Sequence, residues 1–312
     1  MYSHDVWMQA GIFYFHVLYQ EIMTPRIDAH QHFWRYRAED YPWIGAGMDV
    51  LAQDKLPADL QPILHHHGIA ATIAVQARSG REETRFLLGL AKDTDWIAGV
   101  VGWENLAVAD LGERLSEWHA GDKLVGFRHQ VQDEADARAF LEDAGFNRGI
   151  ALLQAKNYVY DVLVFERQLA DTQAFCARHD KHWLVLDHLG KPALREFSQS
   201  DVALARWKKE LLALGKLPHV ACKLSGLVTE ADWQAGLQQS DYDHIRLCLD
   251  TALEAFGPQR LMFGSDWPVC LLAASYDKVA AVIADWAEST LGKDEQASLW
   301  GGTAARCYGI AA

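Results

Sequence analysis

The chain has 312 residues, of which 50% are hydrophobic, 11% are aromatic and 23% are charged. This composition suits a folded globular protein and excludes the intrinsically disordered and fibrous classes. The 42 acidic residues outnumber the 29 basic ones, the formal net charge is -13, and no run of lysine and arginine occurs. A nucleic-acid partner is therefore not expected, because binding to the phosphate backbone requires a basic surface.

The cysteines and the N-terminal segment indicate the cellular compartment. The five cysteines are an odd number without a CxxC pair, which favours reduced thiols in the cytoplasm. Residues 1–23 are rich in aromatic side chains but lack the basic start and small-residue cleavage site of an export signal. No stretch reads as a membrane span. We expect a cytoplasmic protein in which residues 1–24 are an N-terminal extension and residues 25–312 form one domain.

Short apolar segments recur at a spacing of roughly thirty residues and are typical of buried parallel strands. They predict eight strands, at 26–34, 68–76, 97–105, 124–131, 158–164, 182–190, 219–226 and 260–268. Segments with helical periodicity lie between them, at 57–64, 82–88, 165–178, 201–214, 242–256 and 276–291, and Ser79 is the predicted cap of the second. Repeated strand-helix units require parallel pairing through right-handed crossovers. The prediction is a single α/β domain, a (β/α)8 TIM-type barrel of regular or distorted shape with additional C-terminal helices.

Polar residues at the ends of the first and last predicted strands would meet at the mouth of such a barrel. His30 and His32 are two residues apart on one strand, so their side chains point the same way and could hold a metal ion or clamp a substrate oxygen. Asp266 ends the eighth strand, the neighbour of the first in a closed barrel. It could bind a cation or take a proton from water, and a turn-capping aspartate is the alternative.

Three other strand ends carry polar residues. His188 follows the sixth strand and could polarise a carbonyl oxygen or exchange a proton, whereas its neighbour Asp187 is expected to face the helices. Lys223, inside an apolar strand, either faces a developing oxyanion or belongs to a buried ion pair. Arg128 ends the fourth strand, where its planar guanidinium could grip a carboxylate or several hydroxyl groups.

Four further residues at predicted strand ends are candidate substrate contacts. Aromatic faces combined with a few amide and hydroxyl donors suit a carbohydrate-like ligand. The candidates are Gln76, Trp103, Tyr160 and Trp34. Packing in the core is the alternative for each of them.

The run His65-His66-His67 places three potential metal ligands together. It closes a predicted helix just before Gly68, where polar or cationic side chains favour the C-terminal end of the helix dipole. Successive helical residues diverge by about 100 degrees, so the three rings are not expected to converge on one ion. We expect them at the surface without a metal.

Four motifs, in chain order, carry a family signal. They are Asp28-Ala29-His30-Gln31-His32-Phe33-Trp34, Leu186-Asp187-His188-Leu189-Gly190-Lys191-Pro192, Cys222-Lys223-Leu224-Ser225-Gly226-Leu227 and Phe263-Gly264-Ser265-Asp266-Trp267-Pro268. Together they resemble the amidohydrolase superfamily (the amidohydrolase 2 family) and, more narrowly, its sugar-lactonase branch. The resemblance runs from about residue 26 to the C-terminus. No GxGxxG, GxxxxGK[ST] or GxSxG motif occurs in a strand-turn-helix setting, so nicotinamide, nucleotide and serine-hydrolase functions lack their usual support.

The resemblance implies roles for four residues. His30 and His32 would be the first-strand metal ligands, Asp266 a third ligand and the base, and His188 the contact to the substrate carbonyl. Members of the superfamily with a firmly bound single ion also place a histidine after strand five, where this sequence has tyrosines and no histidine. The resemblance therefore implies one divalent ion, zinc, that is weakly bound or dispensable.

The implied reaction is hydrolysis of a sugar lactone, such as L-fucono-1,5-lactone, to the sugar acid. Asp266 would deprotonate a water that attacks the lactone carbonyl, and His188, with Lys223 or Arg128 nearby, would stabilise the oxyanion. The sequence does not choose among fucono-, rhamnono-, galactono- and arabinonolactone. It also leaves open whether the chain forms a homo-oligomer.

Two other functions are considered. A metal-dependent decarboxylase of the same superfamily would need a firmly bound ion, against which the absent fifth-strand histidine argues. A non-catalytic sugar-acid binder would have no use for a base such as Asp266. Both fit the residues less well than a lactonase does.

Overall fold

Eight parallel strands form the centre of the computed structural model, which describes residues 24–118, 123–197 and 199–310. The strands are β1 (Arg26–Gln31), β2 (Ile69–Val75), β3 (Ile97–Gly102), β4 (Leu124–Gln130), β5 (Val159–Leu163), β6 (Leu184–Leu186), β7 (Val220–Leu224) and β8 (Leu261–Phe263). Each strand pairs in parallel with the next along the chain. A parallel bridge between Gln31 and Trp267 connects the first strand to the segment after the last. The predicted (β/α)8 barrel is confirmed.

Helices follow the strands on the outside of the barrel. They are α1 (Pro57–His66), α2 (Arg81–Asp93), α3 (Leu111–Ser116), α4 (Ala137–Glu142), α5 (Ala144–Ala155), α6 (Leu169–Arg178), α7 (Leu194–Phe197), α8 (Asp201–Gly215), α9 (Leu227–Glu230), α10 (Gln239–Phe256), α11 (Tyr276–Thr290), α12 (Lys293–Ala297) and α13 (Thr303–Tyr308). Gly80, and not the predicted Ser79, is the N-cap of α2. Among the described residues, none of the helices combines the length and apolar character needed to cross a membrane. Apart from Thr24, the predicted N-terminal extension lies outside the described residues.

The buried carboxylate of Asp28 joins the first and last strands. It accepts hydrogen bonds from the backbone N–H groups of His30 (3.2 Å) and Ser265 (2.9 Å) and from the hydroxyl of Tyr276 (3.1 Å). The backbone N–H of Asp266 donates to the carbonyl of His30 at 2.8 Å. Because these bonds cross from β1 to the segment after β8, they fix the first-strand histidines beside Asp266.

Small and branched side chains fill the interior of the barrel. They include Ile27, Ala29, Ile73, Val75, Val101, Val159, Val185, Ala221 and Met262, and residues of the C-terminal helix α13 pack against them. The side chain of Tyr308, on α13, reaches into this core, and its hydroxyl donates a hydrogen bond of 2.7 Å to Asp161 on β5. The last described helix therefore supports a polar residue in the middle of the barrel.

Removing the Tyr308 hydroxyl should destabilise the protein. In Tyr308→Phe one oxygen of the fully buried Asp161 carboxylate loses its donor. Leaving a buried acceptor without its donor costs about 1–3 kcal/mol. Urea unfolding followed by tryptophan fluorescence would measure this loss.

Tyr242→Phe is the matched control for this substitution. Tyr242 is half-buried on α10, and among the described residues its hydroxyl forms no hydrogen bond. The free energy of unfolding should stay within about 0.5 kcal/mol of wild type in this variant. Equal losses in the two variants would show that the Tyr308–Asp161 hydrogen bond contributes nothing particular to stability.

Candidate active site

Three side chains, from the end of the first strand and from the segment after the eighth, converge at the mouth of the barrel. His30 Nε2 and His32 Nε2 are 3.2 Å apart, and Asp266 Oδ1 lies 3.7 Å from the first and 3.4 Å from the second. His32 Nδ1 contacts the carbonyl oxygen of Val75 at 2.7 Å. A carbonyl can only accept, so Nδ1 of His32 carries a hydrogen, and Nε2 is the ring nitrogen directed at this centre.

His188 enters the same centre through an unusual turn after β6. His188, Leu189, Gly190 and Lys191 have consecutive φ values of 52°, 53°, 68° and 50°, all in the left-handed region. Such a run is costly for residues other than glycine and is characteristic of functional sites. The turn brings the His188 ring to within 4.5 Å of the His30 ring, measured between centroids.

The loop after β7 supports the His188 ring. Ser225 Oγ lies 2.8 Å from His188 Nδ1. Gly226, the next residue, has a φ of 66°, and a Cβ at this position would lie 2.5 Å from His188 Nδ1. Glycine is therefore required here both by the backbone conformation and by the close approach of the imidazole.

Asp187 corrects one prediction, because it faces the barrel axis and not the helices. Its carboxylate lies 2.9 Å from Arg128 Nη1, 3.0 Å from Lys223 Nζ and 3.3 Å from His30 Nδ1. Lys223 also contacts Asp161 Oδ2 at 2.5 Å. We name these four charged residues, Asp161, Asp187, Lys223 and Arg128, the buried charge cluster.

The predicted contact between Lys223 and the substrate is also corrected. Its side chain is fully buried and lies between Asp161, Asp187 and His30. The structure instead contains the buried ion pair that the sequence analysis gave as the alternative for Lys223. Arg128, in contrast, is 4% exposed and lines the cavity at the mouth.

The electrostatic surroundings set the protonation states of the centre. Burial by itself would raise the pKa of Asp266, but His188, His32 and His30 hold it well below its ordinary range. Burial lowers the pKa of His188 to about 4, although the Asp266 carboxylate opposes this shift. Burial likewise lowers the pKa of His30. At neutral pH the ionised carboxylate of Asp266 therefore lies beside the neutral imidazoles of His188 and His30.

A cavity of about 280 Å³ opens above this centre. His32, Arg128, His188 and Asp266 all line it, so these predicted site residues share one chamber. Sequence reasoning missed several other lining residues, among them Trp43, Lys191, Glu230 and Trp233. Lys191 stands in a motif that sequence reasoning had singled out, but nothing in the sequence indicates that Glu230, at the end of a short helix, faces this mouth.

Gln76 lies behind Arg128 and is fully buried. Its side-chain amide donates to the carbonyl oxygen of Arg128 at 3.1 Å, and Arg128 Nη2 donates to the carbonyl oxygen of Gln76. This reciprocal bonding holds the guanidinium in place. Gln76 positions Arg128 and does not itself line the cavity.

The structure does not bring the three predicted aromatic contacts to the cavity. On β5 the side chains of Val159 and Asp161 point inward, so Tyr160 points outward and packs against Phe146 and Phe175. Trp34 is fully buried in a separate apolar cluster around the loop after β1. Trp103 is half-buried, and its indole N–H donates to His129 at 3.2 Å. Tyr160 and Trp34 therefore pack in the core, which was the alternative to a substrate contact.

The histidine run at the end of α1 departs from the sequence expectation in one respect. Because the helix ends at His66, the rings of His66 and His67 contact each other, with centroids 5.0 Å apart. Together with Asp277 they offer three ligand atoms within 4.8 Å of one another. His67 Nε2 is hydrogen-bonded to Asp277 at 2.7 Å. The cluster joins α1 to α11 and is separate from the mouth.

The donor atoms at the mouth fit a divalent metal ion. His30, His188 and Asp266 each offer one ligand atom, and these atoms lie within 4.8 Å of one another. Two imidazoles and a carboxylate with one open position form a usual catalytic zinc site. Arg128 Nη1 lies 3.3 Å from His30 Nε2, so an ion at this site would have a permanent positive charge close to one of its ligands.

Fold and site together define an α/β-barrel protein with a histidine-aspartate centre at the carboxyl ends of its strands. The chain belongs to the amidohydrolase family, whose model, described as Amidohydrolase, matches residues 27–310. This match confirms the family resemblance of the four motifs.

Individual relatives cover nearly the whole chain. A protein of Burkholderia multivorans named L-fucono-1,5-lactonase is 69% identical over 285 residues, which are 91% of this chain and 96% of that protein. A protein of the same name from Burkholderia ambifaria is 35% identical over 292 residues, covering 92% of this chain and 97% of that protein. A crystal structure of an amidohydrolase from Burkholderia multivorans with bound zinc has a TM-score of 0.90 and 68% identity, covering 92% of this chain and 100% of that chain. The similarity to the sugar-lactonase branch is confirmed.

The close packing of Gly226 against His188 can be tested by adding one methyl group. In Gly226→Ala the new Cβ would collide with the imidazole, since the two atoms would be 2.5 Å apart. Strain from the positive φ and from the collision should together lower the free energy of unfolding by about 2–4 kcal/mol. Chemical denaturation of the purified variant measures this loss.

Gly309→Ala separates the two sources of strain. Like Gly226 (φ 66°, ψ 0°), Gly309 lies in the left-handed helical region (φ 63°, ψ 28°), and a Cβ there would meet nothing within 4 Å. This variant should lose only the backbone contribution, about 1 kcal/mol. If Gly226→Ala is no less stable than Gly309→Ala, the His188 ring is not held against the β7 loop.

Proposed function

We propose that this protein is a sugar lactonase that hydrolyses L-fucono-1,5-lactone to the open-chain sugar acid. The observation that carries the proposal is the ionised, buried carboxylate of Asp266 beside neutral His188 in a cavity open to small molecules. The 69% identity to a protein named L-fucono-1,5-lactonase supports the substrate class. A small neutral sugar lactone also suits a cavity of about 280 Å³.

In the first step, Asp266 accepts a proton from a water molecule. Its carboxylate is ionised at neutral pH, and its backbone N–H bond to His30 holds it at the mouth. As the O–H bond of water breaks, the oxygen forms a bond to the lactone carbonyl carbon. General-base assistance of this kind contributes about 10²–10⁴-fold to the rate.

The carbonyl oxygen becomes an oxyanion in the tetrahedral intermediate. Arg128 lines the cavity with a permanent positive charge, and in the metal-free site the imidazole of His188, with its Nδ1 facing Ser225 Oγ, can donate its Nε2–H. Both groups stabilise negative charge that develops only in the transition state. The intermediate then collapses, the ring C–O bond breaks, and the leaving oxygen takes the proton from Asp266 to become a hydroxyl group.

His30, His188 and Asp266, with His32 beside them, would hold a divalent ion such as the zinc of the related structure. When bound, the ion would supply additional polarisation of the attacking water. The residues of the chain already provide a base and a cationic group without it. We therefore propose that the ion is an accessory to catalysis.

The proposed activity is measured by following acid release with a pH indicator. Purified protein should accelerate the opening of L-fucono-1,5-lactone well beyond its spontaneous rate. Each turnover yields a carboxylic acid that ionises and acidifies the solution, whereas decarboxylation of an aromatic acid consumes a proton. Absence of acceleration across fucono-, rhamnono-, galactono- and arabinonolactone would refute the proposal.

Replacing the base should abolish most of this activity. We expect Asp266→Asn to lower kcat by at least about 100-fold, because the amide cannot accept a proton from water. Asp277→Asn, which removes an exposed carboxylate on α11, is the control and should leave kcat unchanged. Normal turnover by Asp266→Asn would mean that another group is the base.

Removal of metal should reduce the activity only modestly. After exhaustive chelation we expect at least about half of kcat to remain, since Asp266 is ionised by its protein surroundings and Arg128 supplies positive charge. The metal content of the treated protein should be checked by elemental analysis. Complete loss of activity, with recovery on adding zinc, would instead establish an obligatory ion.

A further inference from the structure

Two oppositely charged side chains, to which the proposed reaction assigns no step, face each other in the cavity. Lys191 comes from the left-handed turn after β6, and Glu230 comes from the end of α9, after β7. Both line the same cavity as His188 and Asp266. Lys191 Nζ and Glu230 Oε1 are 3.8 Å apart, and the two side chains are only 20% and 19% exposed.

The carboxylate of Glu230 has unused capacity to accept hydrogen bonds. Within the described part of the chain neither oxygen accepts a hydrogen bond, and its ion pair with Lys191, at 3.8 Å, is longer than a direct hydrogen bond. Burial raises the pKa of this carboxyl, although Lys191 opposes the shift. A largely enclosed carboxylate without donors is unfavourable unless a ligand or water supplies them.

The backbone fixes both residues relative to His188. The N–H of Lys191 donates to the carbonyl oxygen of His188 at 2.8 Å, within the run of positive φ values. Helix α9 starts directly after Gly226, which packs against the His188 ring, and Thr229 Oγ1 donates to the carbonyl oxygen of Gly226 at 2.8 Å. The pair is thus held at a set position from the group that contacts the lactone carbonyl.

We propose that Glu230 and Lys191 are specificity-determining residues that bind neighbouring hydroxyl groups of the sugar lactone. This inference rests on the proposed lactonase function. A sugar hydroxyl can both donate and accept, so one hydroxyl donates to the Glu230 carboxylate while its neighbour accepts from the Lys191 ammonium. Trp43 and Trp233 also line the cavity and offer apolar faces to the ring carbons.

The binding role predicts a difference between two substrates. L-fucono-1,5-lactone carries ring hydroxyl groups, whereas δ-valerolactone has the same six-membered ring without them. In Glu230→Gln and in Lys191→Met, kcat/KM for L-fucono-1,5-lactone should fall at least about 30-fold, mainly through KM. The value of kcat/KM for δ-valerolactone should stay within about threefold of wild type, because that ring has nothing for the pair to bind.

A matched control removes a carboxylate from an ion pair elsewhere. Glu254 pairs with Lys208 at 2.9 Å on the outer surface, and both side chains are about half exposed. Glu254→Gln should leave both substrates unaffected. Thermal unfolding of each variant should be recorded, and Lys191→Met provides an independent test if Glu230→Gln does not fold.

Three outcomes would overturn the inference. Unchanged kinetics on both lactones would show that the pair does not contact substrate, while leaving the proposed function intact. Equal losses on both lactones would show that Glu230 acts on the reaction or on the fold and not on hydroxyl recognition. A wild-type protein that opens δ-valerolactone but no aldonolactone would refute the sugar-lactonase function and the inference with it.

Discussion

The site depends on the buried charge cluster, in which the negative and positive charges are equal in number. Two carboxylates, Asp161 and Asp187, face two cations, Lys223 and Arg128, with separations of 2.5–3.0 Å. Removing one member of such a set leaves an uncompensated buried charge, which costs about 3–5 kcal/mol. His30 lies directly against Asp187 and Lys223. The position of a proposed metal ligand is therefore set by ion pairs beneath the mouth and not by the strand alone.

Hydrogen bonds of Asp28 and an unusual turn after β6 position the other groups of the site around the buried charge cluster. Asp28 ties β1 to the segment after β8, and the left-handed turn after β6 carries both His188 and Lys191. The energetic cost of that turn is offset by the packing of the barrel around it. As a result, groups that act on the carbonyl and groups that we assign to the sugar hydroxyls are held by one short segment.

The fold and part of the site could be predicted from the sequence because the two-residue repeat of a strand and the order of the strands determine which side chains lie close together. His30, His32 and Asp266 follow from a two-residue repeat and from the adjacency of the first and eighth strands. Asp187 follows the alternation of β6, in which Val185 already faces the barrel axis, whereas His188 departs from it through the four consecutive positive φ values that begin at His188. Alternation counted from His188 therefore assigns Asp187 to the wrong face. Tyr160 shows the same limit, since a one-residue difference in register decides whether a side chain faces the axis or the helices. Glu230 depends on the path of a loop, for which no periodicity exists.

Hydrogen bonds connect helix α13, at the far end of the barrel, to the candidate active site at its mouth. The Tyr308 hydroxyl bonds to Asp161, Asp161 to Lys223, and Lys223 to His30. A chain of four polar groups thus runs through an otherwise apolar interior, from the last described helix to His30 at the mouth of the barrel. Sequence changes near residue 308, remote from any substrate, would in this way alter the electric field felt at the opposite opening.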